Sequence, residues 1–166
     1  MPALPLNYKV LGSGEPLIIL HGLFGSLDNW QTLGRKWSID RQVILVDQRN
    51  HGRSPHADEF GYEEMAEDVL QLMDDLSFEI IDLMGHSMGG KTAMHLALTR
   101  PERIRNLIIA DVAPVTYEGG HAKIFNALQS IDFSLVNRRE EIDEQLSHAI
   151  PDTSVRQFLM KGVTRD

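Results

Sequence analysis

A chain of 166 residues with 42% hydrophobic content has the size of one domain and enough apolar material for a core. A formal charge of −8 argues against nucleic acid or anionic membrane as a main partner. The lack of cysteine excludes a disulfide framework and thiolate chemistry, and a reducing cytoplasm fits.

The first residues, Met1 to Asn7, carry no basic or long apolar segment, so no secretory signal is expected. No apolar run approaches the length of a membrane span. The expectation is a soluble, cytoplasmic protein.

Leu6 to Leu11 can form a first strand, closed by the turn cluster Gly12-Ser13-Gly14-Glu15-Pro16. Leu17 to Leu20 is a fully apolar strand suited to a sheet covered on both faces. It ends in His21-Gly22-Leu23-Phe24-Gly25-Ser26, where the backbone can bend back and aim amides into a pocket. The Leu23 N–H is the proposed donor to an oxyanion, and His21 and Phe24 are further candidates for oxyanion or substrate binding. The plain alternative is a tight turn with an incidental histidine.

Asp28 to Trp37 reads as helical, with Trp30, Leu33 and Trp37 at three- and four-residue spacing and the tryptophans as packing residues. Val43 to Val46 is a buried strand. It is followed by a polar loop, Asp47-Gln48-Arg49-Asn50-His51-Gly52-Arg53-Ser54-Pro55, that either carries specificity or pins its neighbours through ion pairs of Asp47 and Arg49. The pinning role is favoured, which makes His51 and His56 exposed loop residues.

Tyr62 to Leu76 predicts an amphipathic helix. Met65, Val69, Leu72, Met73 and Leu76 face inward, while Glu63, Glu64, Glu67, Asp68, Asp74 and Asp75 are mostly solvated. The acidic run lacks the histidine partners and spacing of a metal site, so no metal is expected.

Ile80 to Met84 is a buried strand that breaks at Gly85-His86-Ser87-Met88-Gly89. Met88, Ala93, Leu96 and Ala97 then recur at helical spacing. This is G-x-S-x-G between a strand and a helix, the context that makes the serine of such a motif a nucleophile. Ser87 is the candidate nucleophile, and the Met88 N–H at the helix start is the other oxyanion donor. Ile104 to Ala110 is one more strand. Asp111 follows it, at the sheet end where catalytic groups gather in α/β folds.

After Asp111 the alternation of strand and helix stops. Val112 to Val115 reads as a linker, and Gly119-Gly120 and Pro151 punctuate helical stretches near 121–130, 138–149 and 153–161. Residues 1–113 therefore form the N-terminal part of an α/β core, and 114–166 begin a helical cap with no return to the sheet.

His21-Gly22, the Asp47 to Ser54 loop and Gly85-His86-Ser87-Met88-Gly89-Gly90 stand in the order and spacing of the α/β-hydrolase superfamily, which this chain resembles. Asn50 replaces the first glycine of that family's loop. More narrowly, His21 to Asn29, Arg49-Asn50-His51-Gly52 and Asp111 to Val115 resemble the small bacterial esterases of the YbfF type, related to the eukaryotic ABHD-eleven hydrolases. The resemblance implies a mostly parallel sheet with flanking helices and a helical cap. It also implies a cofactor-free serine carboxylesterase or thioesterase acting on short acyl esters and acyl-CoA.

One departure stands out: the family continues past the cap to further strands and a catalytic histidine, and this sequence stops at Asp166. In many members the acid follows a later strand, also beyond this sequence; in some it follows the strand after the elbow, which makes Asp111 the candidate acid, with capping of the linker amides the other role open to it. No histidine present fits the base. His121 and His148 fall in the cap, His86 diverges from Ser87, and His95 is two helical turns on. The partners implied are a small acyl ester or thioester and either the missing C-terminal segment or a second copy of the chain. A catalytically incomplete fragment or a ligand-binding protein is the alternative function.

Overall fold

The computed structural model describes residues 2–116 and 121–163. The chain divides into two compact units, Met1–Pro114 and Val115–Asp166. The glycine pair at 119–120 and residues 164–166 lie outside the described residues.

The first unit alternates strand and helix: β1 (Tyr8–Leu11), β2 (Pro16–Leu20), α1 (Gln31–Trp37), β3 (Gln42–Val46), α2 (Tyr62–Asp75), β4 (Ile81–His86), α3 (Met88–Thr99) and β5 (Ile104–Ala110). The strands form one sheet in the order β1-β3-β2-β4-β5, with β1 antiparallel to β3 and the other pairs parallel. Leu17 to Leu20 and Val43 to Val46 are buried throughout. Such unbroken apolar strands need cover on both faces.

One face packs Ile18, Leu20, Ile44, Val46, Ile81 and Leu83 against α2 and α3. The other sets Leu17, Ile19, Val43, Leu45 and Met84 against Trp30 and Trp37, so the tryptophans are packing residues as predicted. On edge strand β5, Leu107 and Ile108 are exposed.

Four local expectations change. The segment 28–37 is not one helix: a 3₁₀ turn, Leu27–Trp30, precedes α1. Two side chains tighten that turn, since Asn29 Oδ1 accepts the Ser26 N–H at 2.7 Å and Asp47 Oδ1 accepts the Leu27 N–H at 2.7 Å. Ile80 is exposed, and β4 starts one residue later. Asp68 is not solvated but buried at 1% exposure, because it meets Arg49. Asp47 makes no ion pair among the described residues; it takes hydrogen bonds from Leu27 N, Asn7 Nδ2 and Arg53 N instead.

Central strand β2 has β3 on one side and β4 on the other. Its register pairs Leu20 with Val46 and with Gly85. The loops leaving β2, β3 and β4 therefore emerge side by side at the carboxyl end of the sheet, where the strand order reverses.

The second unit holds α4 (Ala122–Gln129), α5 (Arg139–Ser147) and α6 (Thr153–Met160), matching the three predicted helical stretches. Ala127, Ile142, Leu146, Leu159 and Met160 are buried. Asp152 caps α6 by accepting the Ser154 N–H at 2.7 Å. Arg156 donates to the carbonyls of Ile150 and Pro151 and to Asp143. Among the described residues, no helix is long and apolar enough to cross a membrane.

Candidate active site

Ser87 lies between β4 and α3 with φ 51° and ψ −113°, a conformation that a residue with a Cβ adopts only under strain. Its N–H donates to the Ala110 carbonyl at 3.0 Å, and its own carbonyl accepts from Lys91 N at 3.1 Å. A Cβ on Gly85 would lie 2.2 Å from the Gly89 carbonyl oxygen, and one on Gly89 would lie 2.6 Å from the carbonyls of Leu20 and His21. The turn can be this sharp only with glycine on both sides of the serine.

The loop after β2 lies against this elbow. A Cβ on Gly22 would sit 2.9 Å from His86 Nδ1 and 3.3 Å from Ser87 Cβ. Among the described residues, neither the Leu23 N–H nor the Met88 N–H has a hydrogen-bond partner. Met88 is the first residue of α3, where helix geometry leaves the amide unused and the dipole favours negative charge. Phe24 differs: at φ 61° it donates its N–H to His51 Nε2 at 3.2 Å.

His21 is 1% exposed. Its Nε2 accepts the Gln48 N–H at 3.1 Å, so the proton sits on Nδ1 and is donated to the Gly22 carbonyl at 2.8 Å. The Gln48 side chain returns a bond to the His21 carbonyl at 2.6 Å. Burial holds the imidazole neutral and lowers its pKa to about 4. His21 thus shapes the loop, with both ring nitrogens engaged.

His51 is not the exposed loop residue expected from sequence. It is half-buried, with Nδ1 on the Arg49 carbonyl at 2.9 Å and its ring 5.1 Å from that of His21 and 5.9 Å from that of Phe60. Burial lowers its pKa as well. His56 is exposed, as expected.

Arg49 is clamped by Asp68 through two bonds, Nε to Oδ2 at 2.6 Å and Nη2 to Oδ1 at 2.8 Å, and also donates to the Glu59 and Glu64 carbonyls. The Asp68 bonds hold its pKa above the ordinary guanidinium value. The pinning role is therefore visible for Arg49. Asn50, which replaces a glycine of the family loop, stands at φ 63°, a conformation asparagine tolerates better than most residues. It exchanges two hydrogen bonds with Ala57.

Asp111 follows β5 with φ 55° and a side chain 87% exposed, its Oδ2 3.6 Å from His86 Nε2. His86 also meets the edge of Trp30, ring centres 6.1 Å apart. The candidate acid thus stands one residue beyond the carbonyl that holds the Ser87 amide. Sequence reasoning did not find His51 or Asp68; each takes its place through a partner distant in the chain.

A family model described as the alpha/beta hydrolase fold matches residues 15–148. The chain is 39% identical over 171 residues to the sn-1-specific diacylglycerol lipase ABHD11 of Mus musculus, covering 96% of this chain and 56% of that protein. It is 37% identical over 151 residues to esterase YbfF of Escherichia coli K12, covering 90% and 59%. A solved marine microorganism esterase superposes with a TM-score of 0.96 at 47% identity, covering 99% of this chain and 66% of that one. The chain spans about half the length of the curated relatives it matches. It belongs to the alpha/beta hydrolase family.

Proposed function

We propose that this protein is a serine hydrolase that cleaves short acyl esters and thioesters, acyl-CoA among them, through an acyl-enzyme on Ser87. One observation carries the reading: a serine held in a strained turn against the loop after β2, with the backbone amides of Leu23 in that loop and of Met88 used by no other described residue. Strain of this kind costs about 1–3 kcal/mol and persists where function requires it. Relatives named as esterases and lipases support the same chemistry.

In this scheme Ser87 Oγ attacks the acyl carbonyl carbon as a base takes its proton. The carbonyl oxygen becomes an oxyanion held by the Leu23 and Met88 N–H groups. Collapse breaks the bond to the leaving oxygen or sulfur, which takes the proton from the base as alcohol or thiol. Water then repeats the sequence on the acyl-enzyme and frees the acid.

The base is a histidine other than His21 and His51. His21 and His51 have both ring nitrogens engaged. Asp111 is the acid that orients the base.

Loss of the base would slow turnover. Triads lacking one member still retain about 10³–10⁴-fold catalysis over water from the oxyanion hole and binding. The test is mass spectrometry after incubation with a short p-nitrophenyl ester. The expected result is one acyl group on Ser87, absent in Ser87→Ala. An unmodified Ser87 would leave ligand binding without turnover as the function.

A further inference from the structure

We infer that His51 is a positioning residue for the proposed oxyanion site: by accepting the Phe24 N–H it fixes the loop from which Leu23 presents its amide beside Ser87. The inference rests on the reading of Ser87 and Leu23 given above and adds to it the residue that sets the loop's shape.

Phe24 stands at φ 61°, in the left-handed region that a bulky aromatic residue rarely occupies. Something beyond local preference must hold it there, and His51 Nε2, at 3.2 Å from the Phe24 nitrogen, supplies a bond across 27 residues of sequence. That bond uses up the Phe24 amide. The preceding amide, that of Leu23, has no partner among the described residues. Gly22, one residue earlier again, is the residue whose Cβ would touch Ser87. A change at Phe24 therefore moves the amide of a loop already in contact with the elbow.

His51 is itself braced. The proton on Nδ1 goes to the Arg49 carbonyl at 2.9 Å, which leaves Nε2 as an acceptor. Arg49 is held by the buried Asp68 carboxylate. The His51 ring lies between those of His21 and Phe60. A line of contacts thus runs from Asp68 through Arg49 and His51 to Phe24.

The acceptor works only while the imidazole is neutral. The titratable groups facing His51 are Asp47 and His56 from its own loop and His21 from the loop after β2. Of these, Asp47 favours the protonated ring, while His56 and burial oppose it, and burial is the largest effect. Acid that protonates Nε2 would release the Phe24 amide.

The test compares wild type with His51→Phe, which keeps an aromatic ring but no acceptor, and His51→Gln, which keeps an acceptor. Two readouts are taken: exchange of the Phe24 amide by NMR, and the rate of Ser87 acylation by a short p-nitrophenyl ester. The expected result is Phe24 exchange at least about tenfold faster in His51→Phe, with acylation slowed by about tenfold at saturating ester, KM little changed and both restored in His51→Gln. Acidifying wild type through the His51 titration should reproduce the loss of Phe24 protection.

Unchanged Phe24 exchange in a folded His51→Phe would overturn the inference. So would faster exchange with acylation unaltered. If wild-type Ser87 is not acylated at all, the proposed function fails, while the exchange readout still decides whether His51 holds Phe24.

Discussion

The Ser87 amide donates to the carbonyl of Ala110 at 3.0 Å. The backbone of the candidate nucleophile is thereby tied to the end of the strand that delivers Asp111. Two loops from different crossovers are locked in register by one main-chain bond, and the strained serine is held against relaxation.

That strain has a measurable consequence. Glycine occupies φ 51°, ψ −113° without the Cβ penalty that serine and alanine share. Ser87→Gly should stabilise the fold by roughly 1–2 kcal/mol in urea unfolding. Ser87→Ala should change stability little. Both should abolish acylation. Equal stability of the two variants would show that the elbow stores no strain.

Gly85→Ala should damage the site without touching a reactive group. The added methyl would lie 2.2 Å from the Gly89 carbonyl, which is backbone and cannot swing away. Overpacking of this kind costs about 1–3 kcal/mol, and displacement of α3 would move the Met88 amide with it. The expected outcome is a lower unfolding midpoint together with reduced acylation of Ser87.

The buried Arg49–Asp68 pair should be costly to break and cheap to replace. Arg49→Met or Asp68→Leu alone leaves a charge without its partner and should cost about 3–5 kcal/mol by chemical denaturation. The double variant should recover much of that loss. Single variants as stable as wild type would contradict the structural role assigned to this pair.

His21 should make stability depend on pH. Its folded pKa, about 4, lies below the ordinary value of 6.5, so the unfolded chain binds the extra proton between those values. The contribution of neutral His21 is fully present above about pH 6.5 and is lost as pH falls toward about 4, in total on the order of 3 kcal/mol. Denaturation curves for wild type and His21→Asn should therefore converge on acidification. A constant gap between them across this window would refute the assignment.

The sequence made the elbow legible because the motif stood between an apolar strand and a helical repeat, each readable from neighbouring residues alone. Trp30 and Trp37 were readable as packing residues for the same reason. Asp68 was not: periodicity assigned it to the wet side of α2, and its burial depends on Arg49, 19 residues earlier. His51 was hidden in the same way, since its partner Phe24 lies across the sheet end. The 3₁₀ turn that precedes α1 is tied to Asp47 through the Leu27 amide, a bond between two loops that no local pattern announces. Where a residue's place was set by neighbours in sequence it could be read, and where it was set by a distant partner it could not.

The central claim is that Ser87 is a reactive nucleophile. The most direct measurement is treatment of the folded protein with a fluorophosphonate, followed by mapping of the modified peptide. The expected result is a single phosphonyl adduct on Ser87, missing from Ser87→Ala. No adduct on Ser87, or labelling that persists in Ser87→Ala, would contradict it.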